Sequence, residues 1–320
     1  MARNPYGIYA TIFMVLFFSP IVLSQGSTQI PAEKSKVNAW FDSTIKPLKE
    51  SAGTLDPDVA KAEAEPKIIK VKKGGGDFDT ITKAIESVPI GNSKRVIISI
   101  APGVYNEKIT IDRNKPYVTL LGDPKNMPNV TFDGTAKKYG TVDSATVIAL
   151  SSYFVAAYIN IVNSAPQPDG KMVGAQAVAL RVSGDRSAFY GVNLYEPGLT
   201  VITAQARESE SEDTGYSFVH GKVTGDAKGA FLGRAWKSSP RVVYAYSEMS
   251  KVVNPAGWSH NSQPERAKTV FYGEYKCTGE GASPSGREPF AKQLTEKEVQ
   301  PFISLDFIGA TKWLLPPPKI

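Results

Sequence analysis

The stretch TVIALSSYFVAAYINIV, residues 146–162, decides the fold class, because it holds two β-rich runs, 146–150 and 154–162, separated by three residues. Neither run has a helical period, and their β-branched and aromatic residues are typical of strands. Similar short runs recur between residues 96 and 275, with Gly, Asn, Asp or Pro between them. Many short strands without intervening helices predict an all-β sandwich, barrel or solenoid.

Among these three architectures, the connections favour the solenoid. Hairpin dipeptides such as Asn-Gly are scarce between the runs, which disfavours ordinary meanders. A parallel β-solenoid needs only bends between strands, although composition alone does not settle the choice. Ahead of the runs, the strand 68–71 and the glycines 74–76 precede apolar residues at helical spacing, which predict an N-terminal capping helix; these are Phe78, Ile81, Ile85 and Val88. Residues 295–302 predict a short C-terminal helix.

Composition and charge restrict the chemistry. The 320 residues are 42% hydrophobic and 21% charged, an ordinary globular composition that excludes disorder and coiled coils. A lone cysteine, Cys277, excludes an intramolecular disulfide framework, and two histidines, His220 and His260, leave little room for a metal centre. We therefore expect no metal and no cofactor. The net charge of +6 indicates an acidic partner, and DNA, anionic lipid and acidic polysaccharide all satisfy it on charge alone.

The N-terminal residues predict the compartment. Residues 1–24 begin with the basic Arg3 and continue as an apolar run interrupted by Pro20, which is typical of a secretory signal peptide. No later stretch is long and apolar enough to span a bilayer. We expect a secreted, extracellular protein, for which nucleic acid is a poor partner and the sequon at Asn129 is usable for glycosylation. Residues 25–66 are rich in Ser, Lys, Ala, Glu and Pro and predict a mobile arm with one possible short helix, 37–48.

Several familiar hydrolase and metal motifs are missing from the chain. There is no Gly-x-Ser-x-Gly, so the usual serine nucleophile elbow is excluded. There is also no His-Glu-x-x-His and no paired Cys-x-x-Cys.

Eight segments, in order, resemble the plant pectin methylesterase family, also called pectinesterases. They are GVYNE (103–107), SATV (144–147), GAQAVALRV (174–182), ITAQ (202–205), LGRAW (232–236), NPAGW (254–258), YGEY (272–275) and FIG (307–309). The similarity runs from about residue 71 to residue 313, and it assigns residues 67–320 to a pectinesterase-like domain. Alanine stands at position 235, where the family usually has proline.

The resemblance implies a right-handed parallel β-helix and a reaction in the plant cell wall, the demethylation of esterified galacturonan with release of methanol. In that family one Asp attacks the ester carbonyl, a second Asp protonates the leaving methanol, and Gln side chains stabilise the oxyanion. An Arg holds the nucleophilic carboxylate, and a Trp packs on the sugar. These roles make chemical sense, since a carboxylate nucleophile must be aimed and amide donors stabilise charge that develops in the transition state.

Four residues of this chain match the family's site. The resemblance implies that Gln176 is the first oxyanion glutamine, that Thr146 contacts substrate, and that Arg234 and Trp236 are the carboxylate-holding and sugar-stacking residues. Gln205 is either a groove residue or part of a ladder on a strand face. The implied partner is the acidic polysaccharide pectin, or homogalacturonan.

The chain departs from the family between Tyr190 and Leu199. The family motifs Gln-Asp-Thr/Ser-Leu and Gly-Thr-Val-Asp-Phe-Ile-Phe-Gly, which carry the acid and the nucleophile, are both missing. The shortening is roughly 45 residues, about two coils of a solenoid. Asp143 lies in a Gly-Thr-Val-Asp sequence, but the Ser-Ala-Thr that follows aligns it with the upstream substrate segment. Asp185 is expected to be a turn residue and Asp213 to lie in a solvated acidic loop.

The predicted consequence is a family member whose esterase activity is impaired or lost, because the attacking carboxylate is gone. Three descriptions stay open at this level. The chain is a demethylating enzyme by family with impaired activity, a non-catalytic pectin-binding pseudoenzyme, or a splice or gene-model form of an active pectinesterase. Solenoid coils contact only their neighbours, so whole coils can be lost with modest strain.

Overall fold

A computed structural model describes residues 28–167, 171–196, 201–225 and 229–319, so the predicted signal peptide lies outside the described residues. The helices are α1 Val37–Thr44, α2 Leu48–Ser51, α3 Pro57–Ala64, α4 Ile81–Glu86, α5 Ala136–Tyr139 and α6 Glu296–Val299. The first twelve strands are β1 Lys67–Val71, β2 Val96–Ile100, β3 Val104–Asn106, β4 Ile109–Ile111, β5 Val118–Leu121, β6 Asn129–Phe132, β7 Val147–Ala149, β8 Val155–Ala157, β9 Asn160–Asn163, β10 Leu180–Val182, β11 Ala188–Tyr190 and β12 Asn193–Tyr195. The remaining strands are β13 Tyr216–Val219, β14 Lys222–Val223, β15 Gly233–Arg234, β16 Arg241–Ala245, β17 Glu248–Met249, β18 Trp258–Ser259, β19 Phe271–Tyr275 and β20 Ala291–Gln293.

Strands β1–β12 form the N-terminal stack, in which three parallel sheets run along the molecule in the orders β1-β2-β5-β8-β11, β10-β7-β4 and β12-β9-β6-β3. Successive coils therefore contribute one strand to each sheet, as β7, β8 and β9 do in one coil and β10, β11 and β12 do in the next. Every strand pair in this stack is parallel. The prediction of an all-β parallel β-helix is confirmed.

The interior of the N-terminal stack is mainly aliphatic, because most of its strands direct isoleucine, valine or leucine side chains inward; Tyr105 and Phe154 are also part of this core. At the open end of this core, α4 covers the first coil with the buried residues Ile81, Ala84 and Ile85. Its N-cap is Thr80, whose side chain accepts a hydrogen bond from the backbone N–H of Lys83. The predicted capping helix is therefore present.

Strands β13–β20 form the C-terminal stack, with parallel sheets in the orders β13-β16-β19-β20, β14-β17 and β15-β18. Its core is separate from the first and contains large aromatic residues. Trp258 stacks on Tyr272 with ring centroids 4.3 Å apart, and Tyr244 meets Trp258 edge to face at 5.8 Å.

The two stacks meet at what we call the junction, the chain between β12 and β13. Within the described part of the chain, no strand of β10–β12 pairs with a strand of the C-terminal stack. The last N-terminal coil consequently leaves apolar side chains in solvent, with Phe189, Leu194 and Tyr195 between 37% and 51% exposed. The junction lies where the sequence predicts missing coils.

The first and last segments of the described chain form a structure that we call the clasp, residues 28–64 together with 300–315. The backbone N–H of Ile30 donates to the carbonyl of Ile303 at 2.8 Å, and that of Asp56 donates to Lys312 at 2.9 Å. The clasp packs on both stacks: Trp313 and Leu305 join a buried cluster with Tyr117 and Ala188 of the N-terminal stack, while Phe302 and Ile303 join one with Val243 and Ala245 of the C-terminal stack.

The structure contains three helices in the predicted arm instead of one. The predicted helix 37–48 is divided because Pro47 disfavours helical backbone in the residue before it, and α1 ends at Thr44. The side chains of Val59 and Ala62 are fully buried against the clasp cluster. Whether the arm is mobile in solution stays a prediction. At the other end, α6 begins within the predicted C-terminal helix and continues as a 3₁₀ helix over Gln300–Ile303. None of the helices in the described ranges is long and apolar enough to cross a membrane.

Candidate functional site

Two of the predicted site residues, Arg234 and Trp236, lie on the C-terminal stack at the edge that faces the junction. Arg234 belongs to β15, which pairs with β18, and its backbone N–H donates to the carbonyl of Thr203 at 2.9 Å. The preceding residue must be glycine, because a Cβ at Gly233 would lie 2.5 Å from the Thr203 hydroxyl and 2.9 Å from the Trp258 ring. The strand therefore fixes the backbone from which both side chains leave.

The guanidinium of Arg234 lies over the indole of Trp236, with Cζ 5.1 Å from the ring centroid. Its Nε is buried and has no hydrogen-bond partner among the described residues. Burial lowers the pKa of Arg234, an effect that the negative charge of Glu196 opposes. A buried, unpaired donor of this kind is costly, and an incoming carboxylate would satisfy it.

The backbone at Trp236 is held by Arg266, whose Nη1 donates to the carbonyls of Ala235 and Trp236 at 2.6 and 3.0 Å. Ala235 is fully buried, whereas Trp236 stays partly exposed. This segment therefore presents an aromatic face and a cation on one rigid support, an arrangement that suits the apolar face of an acidic sugar.

The other two predicted site residues lie on the N-terminal stack. Gln176 is exposed, and its carbonyl accepts a hydrogen bond from the backbone N–H of Ala136, which fixes the chain just before β10. Thr146 is fully buried, and its hydroxyl donates to the carbonyl of Val162 at 2.9 Å. The structure thus leaves the Gln176 side chain accessible but occupies the Thr146 hydroxyl internally, and the catalytic role of Gln176 stays a prediction.

A further acidic residue, Glu196, approaches the site and was not singled out from the sequence. It follows β12 directly, and its Oε1 accepts a hydrogen bond from the backbone N–H of Ala179 at 2.9 Å. Burial raises the pKa of Glu196 from its ordinary value of 4.5 to about 7, although the Ala179 N–H and the charge of Arg234 both lower it. Its position between Tyr190 and Leu199, where the chain departs from the family, was the one signal that could have drawn attention to it.

The three aspartates that the sequence analysis considered have other contacts in the structure. Asp143 accepts from Arg181 at 2.6 Å in a partly exposed ion pair. Asp185 follows β10 in a turn, and its carbonyl accepts from the N–H of Tyr153. Asp213 is almost fully exposed and lies 3.1 Å from the Arg241 guanidinium. The contacts in the described part of the chain join none of the three to Arg234.

Two further polar residues have structural contacts. Gln205 is buried outside the strands, and its side-chain oxygen accepts from the backbone N–H of Arg241 at 2.9 Å, so this oxygen is engaged inside the fold. Glu274, from the YGEY segment, is 1% exposed, and its carboxylate accepts from Arg287 at 2.8 and 2.9 Å and from the Trp258 indole N–H at 3.0 Å. The pair Glu274–Arg287 therefore fixes the aromatic core of the C-terminal stack.

Three further side chains that could react or be modified have contacts of their own. His220 stacks on Tyr246, and its Nε2 lies 2.7 Å from the carbonyl of Pro31. Burial raises the pKa of the Cys277 thiol to about 11, which leaves little thiolate at neutral pH. Asn129 accepts from Asn160 in a ladder along β6 and β9, and its glycosylation stays a prediction. Within the described ranges, no three His, Cys, Asp or Glu residues are grouped as metal ligands would be.

Comparison with known proteins identifies what this chain is similar to. The family model described as Pectinesterase matches residues 67–197 and 195–311. Probable pectinesterase 49 of Arabidopsis thaliana is 45% identical over 349 aligned residues, covering 95% of this chain and 96% of the relative. Pectinesterase 2 of Olea europaea is 44% identical, with 97% of each chain covered. The solved pectin methylesterase from carrot is 29% identical and covers 78% of this chain and 95% of its own, with a TM-score of 0.65.

The same comparisons bear on the junction. The two matched ranges of the family model meet at residues 195–197, between Tyr190 and Leu199. The 349-residue alignment with the Arabidopsis relative is longer than this chain of 320 residues, so it contains gaps opposite this chain. Which functional residues of the relatives fall in those gaps stays a prediction from the motifs.

Proposed function

Because the chain belongs to the pectinesterase family, we propose that it binds methyl-esterified and free galacturonan in the plant cell wall, and that the family's two-aspartate demethylation is impaired in it. The proposal includes secretion through the N-terminal signal, which would bring the chain to this polysaccharide. Pectin is the substrate class that the family name implies, and the net charge of +6 favours a polyanion of this kind.

The observation that carries the binding proposal is the state of Arg234. Its Nε is buried without a partner among the described residues, and its guanidinium lies against Trp236. In the family an Arg at this motif holds the catalytic carboxylate. A galacturonate carboxylate can take that place here, while the pyranose packs on the indole.

The impairment rests on the missing motifs and on the positions of the remaining acids. The described part of the chain has no pair of carboxylates beside Arg234, since Asp143, Asp185 and Asp213 lie elsewhere. A two-carboxylate mechanism needs one acid as nucleophile and another as proton donor. We therefore expect demethylation far slower than that of a relative with both aspartates.

Binding is tested with purified mature protein and two polymers, homogalacturonan with and without methyl esters. We expect binding of the unesterified polymer to weaken with added salt, because its charges are screened. Arg234→Gln should weaken it about tenfold or more, since a hydrogen bond to a charged group contributes about 1.5–3 kcal/mol. Trp236→Ala should weaken the binding of both polymers, and Trp236→Phe should restore part of the lost affinity.

The matched control is Arg113→Gln, which makes the same charge change at an exposed residue after β4, two strands from β10 in the same sheet. It should leave binding within about twofold of the wild type, as an exposed charge contributes little. Equal binding by the Arg234, Trp236 and Arg113 variants would refute a site at Arg234 and Trp236.

A further inference from the structure

A cavity of about 250 Å³ lies where the clasp meets the C-terminal stack. Ala32 and Lys34 line it from the clasp, and His220, Tyr246 and Lys276 line it from the stack. A water molecule takes up about 30 Å³ in the liquid, so the cavity has room for a small organic ligand and not only for a single water. Both lysines are exposed, so the cavity is open to solvent.

The three lining residues of the stack lie at the same corner of three successive coils. His220 follows β13, Tyr246 follows β16 and Lys276 follows β19, and their backbones are left-handed, with φ of 56°, 52° and 46°. The parallel ladder continues through this corner, where the N–H of His220 donates to the carbonyl of Ala245 at 3.0 Å. The imidazole of His220 stacks on the Tyr246 ring with centroids 5.3 Å apart. This wall of the cavity is therefore fixed by the coils themselves.

The wall that belongs to the clasp is held by the same histidine. Nε2 of His220 lies 2.7 Å from the carbonyl oxygen of Pro31, and because a carbonyl oxygen only accepts, the imidazole donates this hydrogen bond. One residue earlier, the N–H of Ile30 donates to the carbonyl of Ile303. These bonds hold the chain just before Lys34, so the cavity has one lysine on each wall.

The charges at the cavity leave a positive excess. Neither Lys34 nor Lys276 forms an ion pair with another described residue, although the charge of Glu296 acts on Lys276. Glu248 also lines the cavity, but its Oε1 lies 3.1 Å from Nζ of Lys222. Three lysines thus outnumber two glutamates, and the two lysines that line the cavity are available to an anion.

The lining suits an anion that also carries hydroxyl groups. Lys34 and Lys276 can both pair with one carboxylate. The Glu248 carboxylate only accepts hydrogen bonds, so it suits the hydroxyl donors of a sugar and repels a bare anion such as phosphate. The hydroxyl of Thr278, another lining residue, can donate or accept. A uronic acid combines the carboxylate and the hydroxyls that these groups require.

We propose that this cavity is a second polysaccharide site, which binds one unesterified galacturonate residue between the clasp and the C-terminal stack. The inference rests on the proposed function, because it takes the same polymer as the site at Arg234 and Trp236. A methyl ester removes the charge that the two lysines bind, so the cavity selects the free acid. A polymer long enough to occupy both sites binds more tightly than a short oligomer, because its second contact is intramolecular.

Occupancy of the cavity has a consequence for the clasp. The ligand contacts both walls, so it binds only the state in which residues 30–34 lie on the C-terminal stack. A ligand that binds one state of a protein stabilises that state by mass action. Hydrogen exchange at residues 30–36 should therefore slow when the cavity is occupied.

The experiment uses Arg234→Gln protein, in which the first site is weakened, and the unesterified trimer of galacturonic acid. We expect titration calorimetry to detect binding of the trimer, and hydrogen exchange at residues 30–36 to slow as it binds. Adding Lys34→Gln or Lys276→Gln should weaken binding about threefold each and about tenfold together, as for partly solvated charge pairs. The fully methyl-esterified trimer should leave exchange at residues 30–36 unchanged.

The matched control is Lys49→Gln, which makes the same charge change at an exposed residue of α2 that does not line the cavity. In the same background it should leave both the affinity for the trimer and the exchange at residues 30–36 unchanged. Inorganic phosphate at the concentration of the trimer should not slow this exchange.

Equal binding by the control and by the variant that lacks both Lys34 and Lys276 would overturn the inference. Phosphate that slows exchange as much as the trimer does would also overturn it, because the site would then take any anion. Polymer binding by the wild type and by Arg234→Gln tests the proposed function separately. Polymer binding that depends on Arg234, without slower exchange at residues 30–36, overturns this inference alone, whereas a wild type that binds neither polymer nor trimer overturns both.

Discussion

The two stacks fill their cores with different kinds of side chain. The N-terminal stack fills its interior with isoleucine, valine and leucine along three continuous sheets. The C-terminal stack has shorter sheets and fills its interior with Tyr244, Trp258 and Tyr272, braced by the buried Glu274–Arg287 pair. Each stack therefore has a complete core of its own. Coils can be absent between the stacks without emptying either core, because the coils of a solenoid contact only their neighbours.

The largest effect is expected from removing the Arg287 side chain, which tests whether the C-terminal core depends on its buried ion pair. Arg287→Ala leaves the carboxylate of Glu274, which is 1% exposed, without its cation. A buried charge stripped of its partner destabilises a fold by about 3–5 kcal/mol, and we expect a loss of that size in denaturant unfolding.

The control is Lys222→Ala, which removes one member of the exposed Lys222–Glu248 pair at 3.1 Å. Its effect should stay below about 1 kcal/mol, as for other surface pairs. Similar losses for the two variants would contradict the role of the Glu274–Arg287 pair in the core.

The second test is a truncation in the aliphatic core, Leu120→Ala, at a fully buried position of β5. Removing a buried leucine side chain to alanine costs about 2–5 kcal/mol through lost contacts and the cavity that remains. Hydrogen exchange should show reduced protection in β1–β12 and little change in β16 and β19. Equal loss of protection in both stacks would show that they unfold as one unit.

The strands of both stacks could be predicted from the sequence, because the residue patterns that specify them lie within short stretches of the chain. The recurrent short β-rich runs and the scarcity of hairpin dipeptides indicate a parallel solenoid, and the apolar spacing after the three glycines indicates α4. The clasp was beyond the same reasoning, because contacts such as Ile30 with Ile303 join distant parts of the chain and leave no local pattern. The division of the arm into several helices required the effect of Pro47, which the apolar periodicity of residues 37–48 concealed.

Part of the candidate site could likewise be predicted from the sequence, and part could not. Motifs located Arg234 and Trp236, whose side chains the structure brings together. They also implied a substrate contact for Thr146; its buried hydroxyl donates to the Val162 carbonyl, and the substrate contact stays a prediction. Glu196 acquires its significance from Ala179 and Arg234, which approach it only in the folded chain. No spacing in the sequence reports that approach.

The smallest expected effect concerns pH and the contact between the stacks. The pKa of Glu196 is raised in the folded protein, so the fold binds this proton more tightly than the unfolded chain does. Its contribution to stability is fully present below pH 4.5 and is lost as pH rises to about 7. We expect the pH dependence of the melting temperature across that window to be shallower in Glu196→Gln than in the wild type. If the melting temperatures of the two proteins changed with pH in the same way, the pKa of Glu196 would not be raised by burial.

The clasp has a mechanical consequence. An open solenoid pulled at its two ends carries the load through its coils in series, and the coils can peel off one after another. Here the backbone of Ile30 is bonded to that of Ile303, so tension applied near the two ends loads this contact before it reaches the coils. In an optical trap, the first rupture should be a short extension that releases the two ends, followed by separate larger steps for the aliphatic and the aromatic halves.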